Sequence, residues 1–163
     1  MIPSALPILV EAGQGETTLL PENASQVWKA TGETTNGAVD LWVEVVPPRL
    51  GPPQHLHSQH DEFFWIVKGT FLVKVADRTV RVCEGASLFI PRGIVHAFTN
   101  VGTETGHLLI GTLPGGVMKA YFEELRRLFL SGPPDQQAIS QVGAKYDVVF
   151  EETINWLQKG VTQ

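Results

Sequence analysis

Up to about residue 113 the apolar residues come in short runs, cut by glycine, proline and polar turns. Val39 to Val46, Glu62 to Val67, Thr70 to Val75, Thr79 to Val82, Ser87 to Ile90, His96 to Asn100 and His107 to Leu113 read as strands. Ile8 to Val10, Leu19-Leu20 and Val27 to Thr31 are further candidates. Turn signals separate them at Gly13-Gln-Gly15, Gly32 to Gly37, Pro47-Pro48, Asp77-Arg78, Glu84-Gly85 and Arg92-Gly93, and Val101 to Gly106 is a polar loop. Many short strands with regular turns predict an all-β sandwich or barrel. The 62–67 run is apolar on both faces: Phe64 and Ile66 share a side with Glu62, and Phe63, Trp65 and Val67 take the other. Such a strand needs cover on both sides, from a second sheet, a helix or another subunit.

At Pro114-Gly115-Gly116 the period changes. Met118, Tyr121, Phe122, Leu125 and Phe129 recur at helical spacing opposite Lys119, Glu123, Glu124, Arg126 and Arg127, which predicts an amphipathic helix lying on the barrel. Ser131-Gly-Pro-Pro-Asp135 ends it, and Asp135 caps a second helix running to about Lys145. Tyr146 to Phe150 suits a short strand. The weakly periodic tail 151–163, with Trp156 and Leu157 as anchors, leaves room for a third helix. The expected organisation is one domain over 1–163, with a barrel in 1–113 and a helical extension in 114–163.

Composition narrows the function classes. Hydrophobic residues make up 43% and charged residues 18% of the 163, a globular balance. A net charge of −5 without a basic run argues against nucleic acid. The single cysteine, Cys83, forms no intrachain disulfide and reads as a strand residue. The N-terminus lacks a positive region and proline interrupts its apolar run, so it is a poor signal peptide. No stretch is long enough to span a bilayer, and a cytoplasmic protein is the default expectation.

The chemistry concentrates in Gly51 to Gly69. His55 and His57 stand at i and i+2, which puts two imidazoles on one face of a strand, able to chelate one metal ion. Glu62 follows at an odd spacing and joins them only if Ser58 to Asp61 make a turn or bulge. Two histidines and a carboxylate are the facial-triad set, suited to iron(II). Downstream, Leu88 to Ile90 meets Pro91-Arg-Gly93, and the next strand offers His96 as a third imidazole. His60 matches no ligand position and reads as a solvated loop histidine or a pocket-rim residue; His107 reads as structural.

The two stretches resemble the paired signature motifs of the cupin superfamily. The second matches at Gly85, Pro91, Gly93, His96 and Asn100, and the first at His55, His57, Glu62 and Gly69. The first departs at its opening glycine, where this chain has Arg49; Gly51 and Pro52-Pro53 are expected to make that turn instead. The resemblance implies a double-stranded β-helix, or jelly-roll, barrel with two or three C-terminal helices. It also implies one divalent metal (iron, manganese, nickel, cobalt, copper or zinc) held by His55, His57, Glu62 and His96. Over about residues 25–150 the chain is similar to single-domain quercetin-dioxygenase-like cupins, through Pro52-Pro53, Asp61-Glu62-Phe63, Pro91-Arg-Gly93, Gly132-Pro-Pro-Asp135 and Ala144-Lys-Tyr146. That likeness implies a dioxygenase using O₂ on a small enolic or aromatic, flavonol-like substrate. Glu62 is then ligand or general base, and Phe64, Phe98 and, more weakly, His60 are pocket residues. A metal-dependent isomerase or lyase and a non-catalytic binding protein are the other classes. Similar cupins are commonly dimers, so a homodimer through Phe63, Trp65 and Val67 is expected.

Overall fold

Strand alternation sorts the chain into two facing sheets. The structure, a computed structural model, describes residues 7–151. One sheet holds β1 (Thr17–Leu19), β2 (Ser25–Ala30), β3 (Asp40–Val46), β10 (Gly106–Leu113), β5 (Asp61–Lys68) and β8 (Ser87–Ile90), in that spatial order. The other runs β11 (Val149–Phe150), β4 (His55–Leu56), β9 (His96–Asn100), β6 (Thr70–Val75), β7 (Arg78–Cys83). Every pairing is antiparallel, as expected of a jelly-roll barrel. Along β3, Asp40, Trp42, Glu44 and Val46 are buried while the residues between them are half-buried. With Phe64, Ile66, Phe71, Val73, Phe98, Leu108 and Ile110 they fill the interior.

Ile8 to Val10 lies outside any strand, and Leu9 is exposed. The turn after β6 sits at Ala76-Asp77, one residue earlier than the expected Asp77-Arg78, with Ala76 at φ 52°. The terminal candidates Trp156 and Leu157 fall outside the described residues.

Two helices follow the barrel, α1 (Met118–Leu130) and α2 (Gln136–Lys145). Asp135 caps α2 through Ala138 N–H at 2.7 Å, as its sequence predicts. Val117, at the N-cap of α1, supplies no side-chain bond. Asp40 does so from β3: its Oδ2 accepts from Gly116, Val117 and Met118 N–H at 2.7, 3.0 and 3.1 Å. Phe122 then packs on Trp28 and Trp42, with ring centroids 6.1 and 5.8 Å away. Buried aromatic pairs of this kind stabilise by about 0.5–1.5 kcal/mol beyond their area.

The helices pack against each other and against β1 and β11, not over the outer face of β5. Phe63 is half-buried against Gly111, but Trp65 is 48% exposed and Val67 42%, so the described residues leave that part of the stripe uncovered. Among the described residues no helix is long and apolar enough to cross a membrane.

Candidate metal centre

His55 stands on β4 and pairs with His96 on β9. His57 follows β4 directly, and the chain bends through Ser58 and Gln59 before β5 opens at Asp61. That bend resolves the odd spacing: Glu62 turns inward with the histidines. All four side chains are buried, and one ligand atom from each lies within 4.8 Å of the other three.

Backbone carbonyls set the histidine tautomers. His55 Nδ1 lies 2.8 Å from Pro53 O, His57 Nδ1 2.8 Å from Asp147 O, and His96 Nδ1 3.0 Å from Ile94 O. A carbonyl oxygen only accepts, so each Nδ1 carries the proton and each Nε2 presents a lone pair. His57 Nε2, His96 Nε2 and Glu62 Oε2 are buried without a well-formed hydrogen bond. His96 Nε2 and Glu62 Oε2 do approach to 2.8 Å, at hydrogen-bonding distance but without its alignment. Leaving such atoms unpaired is costly in a folded core. Three oriented imidazoles and a carboxylate, buried and turned to one point, fit a divalent cation.

The electrostatics agree. Burial, reinforced by the neighbouring His96 and His57, holds His55 well below the usual histidine range, so it is neutral near pH 7. For Glu62, burial opposes the charge, but the His96 contact and the His96 and His57 charges outweigh it and lower its pKa. For His96, burial likewise opposes the charge, and Glu62 outweighs it and raises the pKa. A proton on His96 Nε2, which Glu62 favours, therefore competes with a cation for the site. Metal affinity should rise with pH until that proton is gone and fall as the pH drops through about 6.5. Metal content after equilibrium dialysis across a pH series is the check. Content unchanged down to about pH 4 would argue against imidazole ligation.

Residues 41–111, which contain all four of these side chains, match the cupin domain family. The fold is the double-stranded β-helix of cupin structures. Among solved structures, the chain resembles KdgF from Halomonas sp. (TM-score 0.58, 13% identity, 65% of this chain and 94% of that one). It also resembles an RmlC-like cupin from Shewanella frigidimarina (TM-score 0.58, 17% identity, 68% and 93%). A predicted oxalate decarboxylase from Thermotoga maritima is similar at TM-score 0.57 and 17% identity, over 67% and 99%. At these identities the likeness is one of fold. Protein SchB from Streptomyces halstedii is 32% identical over 78 residues, 47% of this chain and 56% of that protein. The match thus spans little more than half of that relative's length.

Arg49 stands where the cupin motif has its opening glycine, and it adopts the left-handed φ of 68° itself. The turn expected of Gly51 and Pro52-Pro53 is therefore made by Arg49, whose N–H donates to Asn100 O at 2.8 Å. Gly51 serves another purpose: a Cβ there would lie 1.8 Å from the Phe98 carbonyl oxygen, so only glycine lets this segment lie against β9.

Phe64 and Phe98 line a cavity of about 440 Å³ beside the cluster, with rings 5.5 Å apart and edge-to-face. His60 is placed differently from its sequence reading. It is buried, not solvated, and it does not line the cavity; its Nδ1 meets Asp147 Oδ2 at 2.7 Å. Asp147 is a residue the sequence did not single out. Its carboxylate accepts from Ser58 N–H at 2.9 Å, Gln59 N–H at 2.7 Å and the Ser58 hydroxyl, while its carbonyl orients His57. Burial opposes its charge, but these bonds hold its pKa at about 2. It follows α2, outside the matched domain, with φ 62°. Glu44 was also missed. Its only sequence signal was an acidic residue on the inward parity of an apolar strand.

Proposed function

We propose that this cupin is a metal-dependent dioxygenase acting on a small enolic or aromatic, flavonol-like substrate. The observation that carries the reading is the position of the ligand cluster. His55, His57 and Glu62 lie in the wall of a largely apolar cavity of about 440 Å³, within the about 300–1,000 Å³ usual for small-molecule sites. Phe64, Phe98, Ile110, Met118, Tyr121 and Phe122 give it flat hydrophobic walls. No lysine or arginine is among the described residues that line it, which disfavours a phosphorylated substrate.

His55, His57, Glu62 and His96 would hold a divalent ion, which supplies Lewis acidity and, if redox-active, electrons for O₂. The protein's own part is orientation, exclusion of water and proton transfer. The apolar walls stack a planar ligand and keep bulk water out. Glu62, with its pKa lowered, is ionised at neutral pH and can take the enol proton on a carboxylate oxygen.

The test is an oxygen electrode read together with flavonol absorbance on protein reloaded with iron, manganese, nickel, cobalt or copper. O₂-dependent loss of an enolic aromatic such as quercetin is expected. Glu62→Gln should cut turnover by about 100-fold or more while metal content falls less. If metal-replete protein consumes no O₂ with flavonols, diketones and related enols, the oxygenase reading fails. Ligand conversion without O₂ uptake would then point to Lewis-acid chemistry, and binding alone to a sensor.

A further inference from the structure

Glu44 is the one acidic residue besides Glu62 among the described residues of the inner cavity wall whose burial is nearly complete, and the chemistry above does not use it. Strand register places it. Glu62 is level with Thr112 on β10 and, through it, with Asp40 on β3. Glu44 lies further along β3, level with Leu108 and Ile66, so the two carboxylates meet the cavity at separate positions.

Its immediate contacts are few. Gln26 Nε2–H donates to Oε1 at 2.8 Å and Trp42 Nε1–H to Oε2 at 2.7 Å. An ionised carboxylate offers about four lone-pair sites, so two stay open. Burial pushes its pKa up to about 7, against the pull of Trp42 and Gln26 and with some help from the Glu62 charge. A glutamine there would accept from Trp42 and, with the Gln26 amide turned over, donate to Gln26 Oε1, at less cost of burial. Tyr121 brings a second polar tip to the same region: burial, together with the Glu44 carboxylate, raises its pKa and keeps the hydroxyl protonated. The rest of that wall, with Trp42, Val46, Ile110 and Met118, is apolar.

We propose that Glu44 is a specificity residue, whose carboxylate accepts a hydrogen bond from a hydroxyl group on the part of the ligand away from its metal-facing oxygen. The inference rests on the enolic-aromatic reading above and narrows it. The preferred ligand is a flat apolar body with an enolic oxygen at one end and a hydrogen-bond donor at the other. Methyl ethers and unsubstituted rings fill the same volume but leave Glu44 without its partner, and a site built around a buried acceptor discriminates against such analogues.

The test compares two probes, kaempferol and 3-hydroxyflavone. They share the enolic end, but only kaempferol carries hydroxyls on the remote rings. Each is titrated anaerobically into zinc-reloaded protein, with tryptophan fluorescence quenching as the readout. Kaempferol is expected to bind about tenfold tighter or more, the worth of one hydrogen bond to a charged group. Glu44→Gln should remove most of that advantage while leaving 3-hydroxyflavone within about twofold of its wild-type Kd. Equal affinities in the wild type would overturn the role of Glu44 but leave the aromatic reading intact, and this comparison needs no variant to fold. A kaempferol advantage that persists in Glu44→Gln would overturn it too. If neither flavonol binds, this inference and the aromatic reading fall together.

Discussion

Asp40→Ala is expected to destabilise the protein by about 3–5 kcal/mol, since each buried N–H left without a partner costs about 1–3 kcal/mol. Asp40 is fully buried and stands alone at the junction between barrel and helices. Besides the three N–H groups at the start of α1, it accepts from Gly32 N–H at 2.7 Å. Alanine would leave all four donors without this partner, those of Gly32 and Met118 in buried positions, and Val117 offers no local cap in exchange. The consequence reaches the site, because α1 carries Met118, Tyr121, Phe122 and Phe129 into the cavity wall. Ligand affinity should therefore fall along with stability, although Asp40 is not a ligand-cluster residue. Urea unfolding measures the first effect and ligand titration the second. A loss below about 1 kcal/mol would show that water or a shifted backbone satisfies these donors instead.

Asp147→Ala is expected to weaken metal binding by about 10–100-fold, the usual cost of removing a group that orients a ligand from behind. The carboxylate pins Ser58, Gln59 and His60, the loop that joins His57 to Glu62. Without it the bend between the two ligands loses its fixed shape. The residue's left-handed φ of 62° also aims its carbonyl at His57 Nδ1, and alanine tolerates that conformation less well than aspartate or asparagine. Asp147→Asn keeps the backbone preference and one acceptor oxygen, so it should recover part of the loss. Competition with a chelator, followed by metal analysis, gives the affinities. Retention of wild-type affinity in Asp147→Ala would mean that the 58–60 loop holds its own shape. Rescue by asparagine separates orientation of the site from general destabilisation, which thermal unfolding of both variants would show on its own.

The acceptor that matters most to His57 lies ninety positions away in sequence, and this separates what was legible from what was not. Strand positions and inward faces follow from a period of two, which each segment carries by itself. Three of the four candidate ligands were readable in the same way: His55, His57 and Glu62 sit within one short stretch, and only a local bend was needed to bring the carboxylate round, while His96 came from the likeness of the second motif. The helices announced themselves through their period and through Asp135, a cap acting on its own helix.

Periodicity says which way a side chain faces but not what it meets. Asp40 as the cap of α1, Asp147 behind His57 and Glu44 between Gln26 and Trp42 are pairings between distant segments. They exist because buried donors must find acceptors once the chain has closed. His60 read as solvated because its loop is polar, and it is buried because Asp147 arrives from beyond α2 to bond it. Arg49 broke the expected glycine pattern, yet the backbone kept the left-handed turn, held by its bond to Asn100 on β9. The sequence by itself thus determined the strands of the barrel, through local spacing, and the candidate ligand set, through spacing and the likeness of its two motifs to those of cupins. Only the tertiary structure decided how those ligands are oriented and what shape and polarity the cavity beside them has, because both depend on contacts made after the sheets and helices have packed.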